Sequence, residues 1–371
     1  MIDIGDTTPL FSGHTDVNPN FAFGSVGGRW VLLQFFGSLA DPAARAAHEV
    51  VFANRGVFDD INACYFGVSA DPEDRSERGV KADIPGLRYF YDDSRDISRL
   101  YGLGDAVVGF KPVNVLLDRA LRVVAITPLE DTHALLVSMF NYVKAEAQEP
   151  AVMMAPVLTV PRVFEPELCQ ALIDYYQRIG GKASGVMREI DGMTVGVMDD
   201  GMKKRRDVRL DDIALQSLTR ARIGRRLIPQ ITRAFNWRAT RIERFMIACY
   251  QGEDGGFFNA HRDNTTAGTA HRRFAVSLNL NSDYDGGELV FPEYGRRTYR
   301  PPPGGATVFG CSLLHAATPV TRGTRYVFVP FLYDEEGARI REANMSKLAG
   351  RQAPKEPESA TEPEAEPQPA E

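Results

Sequence analysis

His261 and Asp263 flank a single residue in FFNAHRDNTT (257–266). On an extended strand, alternate side chains face the same way, so this imidazole and this carboxylate can address one centre. Alone the pair is weak evidence, because H-x-D arises readily by chance in a chain this long. A metal would need a third ligand, and two histidines offer one. His271 lies in TAHRRF, in a turn leading into a strand beside two arginines, where solvent exposure is expected. His315 lies in FGCSLLHAATPV, after a strand and among apolar residues, as either a satisfied core histidine or a ligand. Two histidines and one carboxylate form a facial triad with open coordination positions, which suits non-haem Fe(II) and oxygen chemistry. Zinc accepts the same ligands, so the triad does not choose the metal. Arg325, ten residues beyond His315 in TRGTRYVFV, supplies a permanently charged fork suited to a dicarboxylate co-substrate. Its competitor Arg322, in the turn Thr321-Arg322-Gly323, is expected to face solvent.

These residues need a frame. From 243 onward RFMIACY, RFAVSLNL, GELVF, ATVF and RYVFVPFL read as short strands between turns rich in Gly, Pro, Asn and Asp, the texture of a sandwich or jelly roll. Ahead of them FEPELCQALIDYYQRIGG reads as a helix with Leu168, Leu172 and Tyr176 on one face, closed by Gly180-Gly181. A longer helical pattern, DDIALQSLTRARIGRRLIPQITRAF, should kink or split at Pro229. The basic run KKRR (203–206) is expected as a solvated loop, with substrate or nucleic-acid contact the sharper alternative.

The first half has a different texture. WVLLQFF (30–36) is a continuous apolar run, as in a strand buried on both faces. A helix follows, with Asp41 as N-cap, Pro42 in its first turn and Gly56 near its end. ACYFGVSA (63–70) is a second strand, DDSRDISRLYGL a short helix, VNVLLD (113–118) and RVVAI (122–126) a hairpin, and THALLVSMFNYVKAEA a closing helix. WVLLQFF, FGVSADPED, FYDDSRDISRLYGL and Lys111-Pro112 before a strand together resemble the thioredoxin fold in its peroxiredoxin branch, over roughly residues 3 to 147. The resemblance makes Lys111-Pro112 the family's cis-proline. Peroxiredoxin chemistry needs a thiolate at the start of the first helix, where the dipole lowers its pKa. This chain has Arg45 at that position, Pro42 at the Thr/Ser position and Ser38 at the motif's Pro. Cys64, on the second strand, is expected in the core. The domain is therefore expected to be redox-inactive, serving as a scaffold, a partner-binding unit or a dimerisation unit.

The chain has 371 residues, 44% of them hydrophobic, enough for two domains. The formal net charge is −6; the final QAPKEPESATEPEAEPQPAE has six Glu and one Lys, −5, so the body carries −6 − (−5) = −1. That balance asks for neither nucleic acid nor an anionic membrane. Rich in Pro and Glu, the tail (341–371) is expected to be disordered. QEPAVMMAPVL (148–158) marks the linker region, with 148–156 its expected extent. Cys64, Cys169, Cys249 and Cys311 form no CxxC, which argues against a disulfide framework. MIDIGDTTPLF has no signal-peptide pattern, and a cytoplasmic setting is expected.

HRD, DYDGGELVFP and GATVFGCSLLHAATPVTRGTR, with the spacing to Arg325, resemble the Fe(II)/2-oxoglutarate dioxygenases of the prolyl 4-hydroxylase type, over about 157–334. MIACYQGEDGGFFNAHRDN looks especially like the animal oxygen-sensing prolyl hydroxylases. The resemblance implies a double-stranded β-helix (jelly-roll) domain with supporting helices over 157–340, after the α/β domain of 1–147. It implies His261, Asp263 and His315 as iron ligands, Arg325 as the partner of the distal carboxylate of 2-oxoglutarate, and Tyr250 near that co-substrate. Asn279 stands where oxygen-sensing relatives often carry a tyrosine supporting the same carboxylate, and Arg272 falls near a substrate-contacting arginine. O2 and an ascorbate reductant are implied as well. The expected activity is hydroxylation of an unactivated C–H bond, first of a prolyl residue in a protein or peptide. A free amino acid or small metabolite is the runner-up, and a non-catalytic iron and 2-oxoglutarate sensor the alternative from another class. No nucleic acid or membrane partner is expected; a homo-oligomer or protein partner would engage the N-terminal domain.

Overall fold

The computed structural model describes residues 2–104, 109–148 and 154–348. Two sheet systems follow one another along the chain. The first is a five-stranded sheet in the order Leu87–Tyr91, Ala63–Ser69, Trp30–Gly37, Val113–Leu117, Val123–Thr127. The first three strands are parallel and the last two add antiparallel as the expected hairpin. All eight residues of Trp30–Gly37 are buried because both faces are covered. Leu32 and Phe36 pack with Ala44, Ala47, Leu136 and Met139 of the helices Pro42–Ala53 and Thr132–Gln148. Val31, Leu33 and Phe35 pack on the other face with Phe23, Phe66 and Tyr101. Each large apolar side chain so buried contributes roughly 1.5–3 kcal/mol, which is why this strand reads as an unbroken apolar run. Gln34 is the exception, and it is satisfied: its amide donates to Asn114 Oδ1 (2.9 Å) and its carbonyl accepts from the Tyr65 hydroxyl (2.9 Å).

Local signals set the first helix. Asp41 caps it through the backbone N–H groups of Ala43 and Ala44, and Pro42 opens it. The Arg45 guanidinium turns back to the carbonyls of Leu39 and Ala40, so an arginine occupies the turn where a thiolate was sought. Cys64 is fully buried, and burial pushes its thiol up to about 12. One expectation fails in this half. The cis peptide bond among the described residues is Ile84–Pro85, not Lys111–Pro112; there the Lys111 N–H bonds Leu103 O (2.9 Å) and the chain runs straight into the Val113–Leu117 strand. The structure adds a strand to the expected elements, Leu87–Tyr91: it is a short edge strand, and only Leu87, Tyr89 and Phe90 of its five residues are buried.

The second system is two antiparallel sheets facing each other, a jelly roll. The larger runs Arg241–Glu243, Phe331–Tyr333, Phe274–Asn279, Val320–Phe328, Met246–Gln251, Arg206–Arg209, Lys182–Ala183, and Ala306–Gly310 pairs on beside Phe274–Asn279. The smaller runs Lys203–Lys204, Phe257–His261, His315–Ala317, Leu289–Val290, Thr298–Tyr299. The helix Pro166–Ile179 covers the outer face of the larger sheet, with Leu168, Leu172 and Tyr176 buried as the periodicity predicts. The second helical pattern splits into Ile213–Arg222 and Ile228–Phe235 around a π-helical stretch, Ile223–Leu227, just ahead of Pro229. Strand period then sorts the residues: Ile247, Cys249, Val276, Leu278 and Phe328 go to the helices, and the residues between them face inward.

The basic run is a correction. KKRR is not a solvated loop: Lys203 is 6% and Arg205 8% exposed, and the run contributes to two strands, Lys203–Lys204 and Arg206–Arg209. Alternation explains it, since only every second residue turns outward. The boundary expected at 340 falls inside the helix Glu335–Ala343, capped by Asp334, and Leu348 bridges to Thr194. The rest of the tail expected to be disordered (349–371) and most of the expected linker (149–153) lie outside the described residues. Among the described residues no helix is long and apolar enough to cross a membrane.

Candidate active site

His261 and His315 sit directly opposite each other in the antiparallel pair of the smaller sheet, with ring centroids 4.3 Å apart. Asp263 follows the end of its strand, its N–H bonded to Cys311 O (2.9 Å) and its own carbonyl held by Arg272 (3.2 Å). Its carboxylate lies 3.6 Å from His261 Nε2 and 3.3 Å from His315 Nε2. The three ligand atoms lie within 4.8 Å of one another, close enough to hold one metal ion. Each imidazole is fixed from behind: His261 Nδ1 contacts Asn259 O (2.8 Å) and His315 Nδ1 contacts Leu313 O (3.0 Å). A carbonyl accepts only, so Nδ1 carries the proton and Nε2 presents its lone pair inward, as metal-binding histidines do. Burial pushes the His315 imidazole down to about 4, aided by repulsion from His261. Burial raises the Asp263 carboxyl, but His315, His261 and Arg272 outweigh it and hold the group well below the usual range. A neutral imidazole at His315 beside an ionised Asp263 suits a divalent metal, which binds the deprotonated ligand atoms.

An inner cavity of about 60 Å³ extends from these three residues to Arg325. Period 2 brings its wall together. Tyr250 is the cross-strand partner of Arg325, and Ser277 and Asn279 face the same side from the next strand. Arg325 is 3% exposed. Its Nη2 donates to Ser277 Oγ (2.9 Å) and Asn279 Oδ1 (3.0 Å), and its guanidinium lies 5.3 Å from the Tyr250 ring centre. Asn279 is itself anchored by donating to Pro301 O (2.9 Å). Among the described residues no carboxylate pairs with Arg325. A buried guanidinium held only by neutral oxygens is costly unless an anion joins it.

His271 corrects the exposure expected of it. It is 2% exposed and meets Glu243 Oε2 at 2.8 Å, so it takes no part in the triad. Glu243 also accepts a bidentate pair from Arg272, which fixes that arginine behind Asp263. Burial raises the Glu243 carboxyl, yet Arg272 and His271 bring it far below its usual range. Arg322 is exposed and bound to Asp283 and Asp285, as expected.

An outer cleft of about 470 Å³ opens onto His261 and Asp263. The first half of the chain forms one wall through Leu10, Ala22, Gly24 and Ser25; Met187 of the hairpin Val186–Ile190/Met193–Val197 stands in another. Sequence reasoning found none of these, nor Ser277 or Arg244; it reached Arg205 only within the run KKRR, whose sharper alternative was substrate or nucleic-acid contact. Ser277 had a usable signal, as a polar residue two before Asn279 in an otherwise apolar strand. The others had none, because the cleft unites segments distant along the chain. Arg262, between two triad residues, points away from them to Glu293 (2.6 Å) and to Gly24 O (3.4 Å) of the first half.

A family model for the 2OG-Fe(II) oxygenase superfamily matches residues 245–333, the segment holding the triad and Arg325. A "PKHD-type hydroxylase" of Synechococcus sp. (strain JA-2-3B'a(2-13)) is 34% identical over 98 residues, 24% of this chain and 43% of that protein. Another from Cupriavidus metallidurans is 40% identical over 84 residues, 20% of this chain and 37% of that protein. The chain thus spans about two fifths of the length of these relatives. Among solved structures, a Trichoplax adhaerens prolyl hydroxylase in complex with a hypoxia inducible factor peptide aligns at 17% identity and a TM-score of 0.39, covering 51% of this chain and 87% of that one.

Proposed function

We propose that the protein is an Fe(II)- and 2-oxoglutarate-dependent dioxygenase that hydroxylates an unactivated C–H bond. One observation carries the reading: the buried Arg325, with no carboxylate partner among the described residues, closes the same inner cavity that His261, Asp263 and His315 open. His261, Asp263 and His315 would hold Fe(II), and the donor set fits it. Arg325 would bind the distal carboxylate of 2-oxoglutarate, held in aim by Ser277 and Asn279, with Tyr250 beside it. When bound, the metal supplies oxygen activation coupled to oxidative decarboxylation of 2-oxoglutarate; R–H, O2 and 2-oxoglutarate give R–OH, succinate and CO2. The side chains position and shield: Phe258 stacks against His261 (3.5 Å between ring centres), and Phe309 packs against His315.

The names of the relatives, PKHD-type hydroxylases, support this reaction class. A prolyl residue in a protein or peptide is the leading substrate, on the likeness of MIACYQGEDGGFFNAHRDN to the oxygen-sensing prolyl hydroxylases. The reading extends to residues 157–340 as the oxygenase domain and to 1–147 as a thioredoxin-like, peroxiredoxin-derived domain that is redox-inactive. Ascorbate would serve as reductant. The test is Asp263→Ala: purified protein given Fe(II), 2-oxoglutarate, O2 and ascorbate, which supplies the two electrons in the absence of a C–H substrate, should form succinate, and the variant should form none and bind less iron. Equal succinate from both would sink the assignment, and iron and 2-oxoglutarate binding without succinate would favour a sensor.

A further inference from the structure

Six cationic side chains line the outer cleft, and their partners can be counted. Arg188 pairs with Asp199, Arg205 with Asp207 (2.7 Å), Arg262 with Glu293 (2.6 Å) and Arg272 with Glu243 (2.8 Å). The Lys203 ammonium donates to Ser184 Oγ and to Gly185 O (2.9 Å). Arg244 has no such partner: among the described residues no carboxylate lies within ion-pair distance of it, and its buried Nε has no hydrogen-bond partner. The one acidic side chain in the cleft lining is Asp263, which is committed to the triad.

Arg244 is nevertheless held in place. Its backbone is left-handed at φ +49°, a conformation unusual for arginine, and its guanidinium lies 4.3 Å from the centre of the Phe331 ring. Burial pushes it down to about 10, so it stays charged at neutral pH. It borders both the outer cleft and the inner cavity, so it stands where the two meet. An oriented, desolvated guanidinium with no ion-pair partner among the described residues matches a carboxylate, which can accept from it in a bidentate pair.

We propose that the outer cleft binds a substrate bearing a carboxylate, and that Arg244 is the group that pairs with it, between the wall supplied by the N-terminal half and the triad. The site rests on the oxygenase reading above. The carboxylate would come from an acidic side chain beside the target residue in a peptide, or from a free amino acid. Either source presents the same anion at the same guanidinium.

The test uses the full chain with Fe(II), 2-oxoglutarate and O2. The probes are blocked peptides that differ only in Glu against Gln beside a proline, and L-proline against L-prolinamide. The wild-type protein should favour the carboxylate member of one pair at least tenfold in kcat/KM for +16 product; which pair responds identifies the source. Arg244→Gln should bring that ratio close to one, and Arg244→Lys should restore part of it. Titration of Mn(II)-loaded protein with the same pairs, without oxygen, should give the same ratios in Kd. Equal values within both pairs, or a preference that survives Arg244→Gln, overturns the proposal. Loss of 2-oxoglutarate affinity in Arg244→Gln with the ratio intact also overturns it, placing Arg244 at the co-substrate instead. Absence of succinate under every condition defeats the oxygenase reading, while the Kd ratios still judge the anion site.

Discussion

Arg325 is the residue on which the site's chemistry turns. Its neighbours are neutral oxygens and the face of Tyr250, so among the described residues no carboxylate answers its charge. In the proposed role, replacing it by glutamine would remove a charge-assisted pair with the co-substrate, worth about 2–3 kcal/mol. Arg325→Gln should therefore raise the KM for 2-oxoglutarate by roughly 30- to 150-fold. Steady-state succinate formation measures it, and a KM within threefold of wild type would remove Arg325 from that role. The two candidate third ligands show how much was legible at this scale. HRD and the Arg spacing could be read along the chain, but His271 and His315 could not be told apart by their own neighbours. Pairing decided between them: His315 is the cross-strand partner of His261, and His271 is captured by Glu243.

Elements carry the site through alternation and anchoring. Inward-facing Tyr250, Ser277 and Arg325 converge only because their strands are in register, and the helices hold that sheet from outside. Glu165, at the start of Pro166–Ile179, ties this helix to the next one by accepting from Arg222 (2.6 Å) and Arg226 (2.7 Å). The hydrogen bond from Arg222 leads in lowering its carboxyl to about 2 from an ordinary value of 4.5. The folded value lies below the unfolded one, so the stabilisation is complete above pH 4.5 and is lost as pH falls from 4.5 towards 2. Partial solvent screening reduces it to about 1 kcal/mol. Glu165→Gln should lower stability by that amount at pH 7 and by almost nothing at pH 2, read from denaturant midpoints. A difference that does not change with pH would point to packing rather than charge. The helix itself was plain in the sequence; that Glu165 joins two helices was not, since its partners lie far along the chain.

At the scale of the molecule the N-terminal half is a structural wall of the cleft. Gly28 (φ +89°) lies so close to Pro292 that a Cβ would come within 2.2 Å of the proline's own Cβ. Beside it, Arg262 and Glu293 form an ion pair with side chains 14% and 10% exposed. Arg262→Met would leave Glu293 buried and unpaired, at a cost of about 3–5 kcal/mol. Chemical denaturation should then show the transition of the second half, which holds both residues, at lower denaturant, and an unchanged midpoint would contradict the pairing. The full chain should consume no peroxide with a thiol reductant, because the described cysteines are all buried and Arg45 fills the helix start. Thiol-dependent turnover would overturn the redox-inactive reading.

By itself the sequence determined what short-range physics can encode: the apolar runs and periodicities that make the elements, the Asp41 and Pro42 helix start, and the spacing of HRD, His315 and Arg325. It also determined that no cysteine stands where a peroxidatic thiolate would need to be. Only the tertiary structure decided which histidine joins the triad, that the basic run KKRR is half buried, and that the first half walls the second half's cleft. The reason is that burial and ion pairing depend on strand register and on contacts between segments far apart along the chain. Arg244 is the clearest case. In the sequence it is one arginine among many, and only when the other cations of the outer cleft are seen with their hydrogen-bond partners does it stand out, among the described residues, as the one there without one, its buried Nε included.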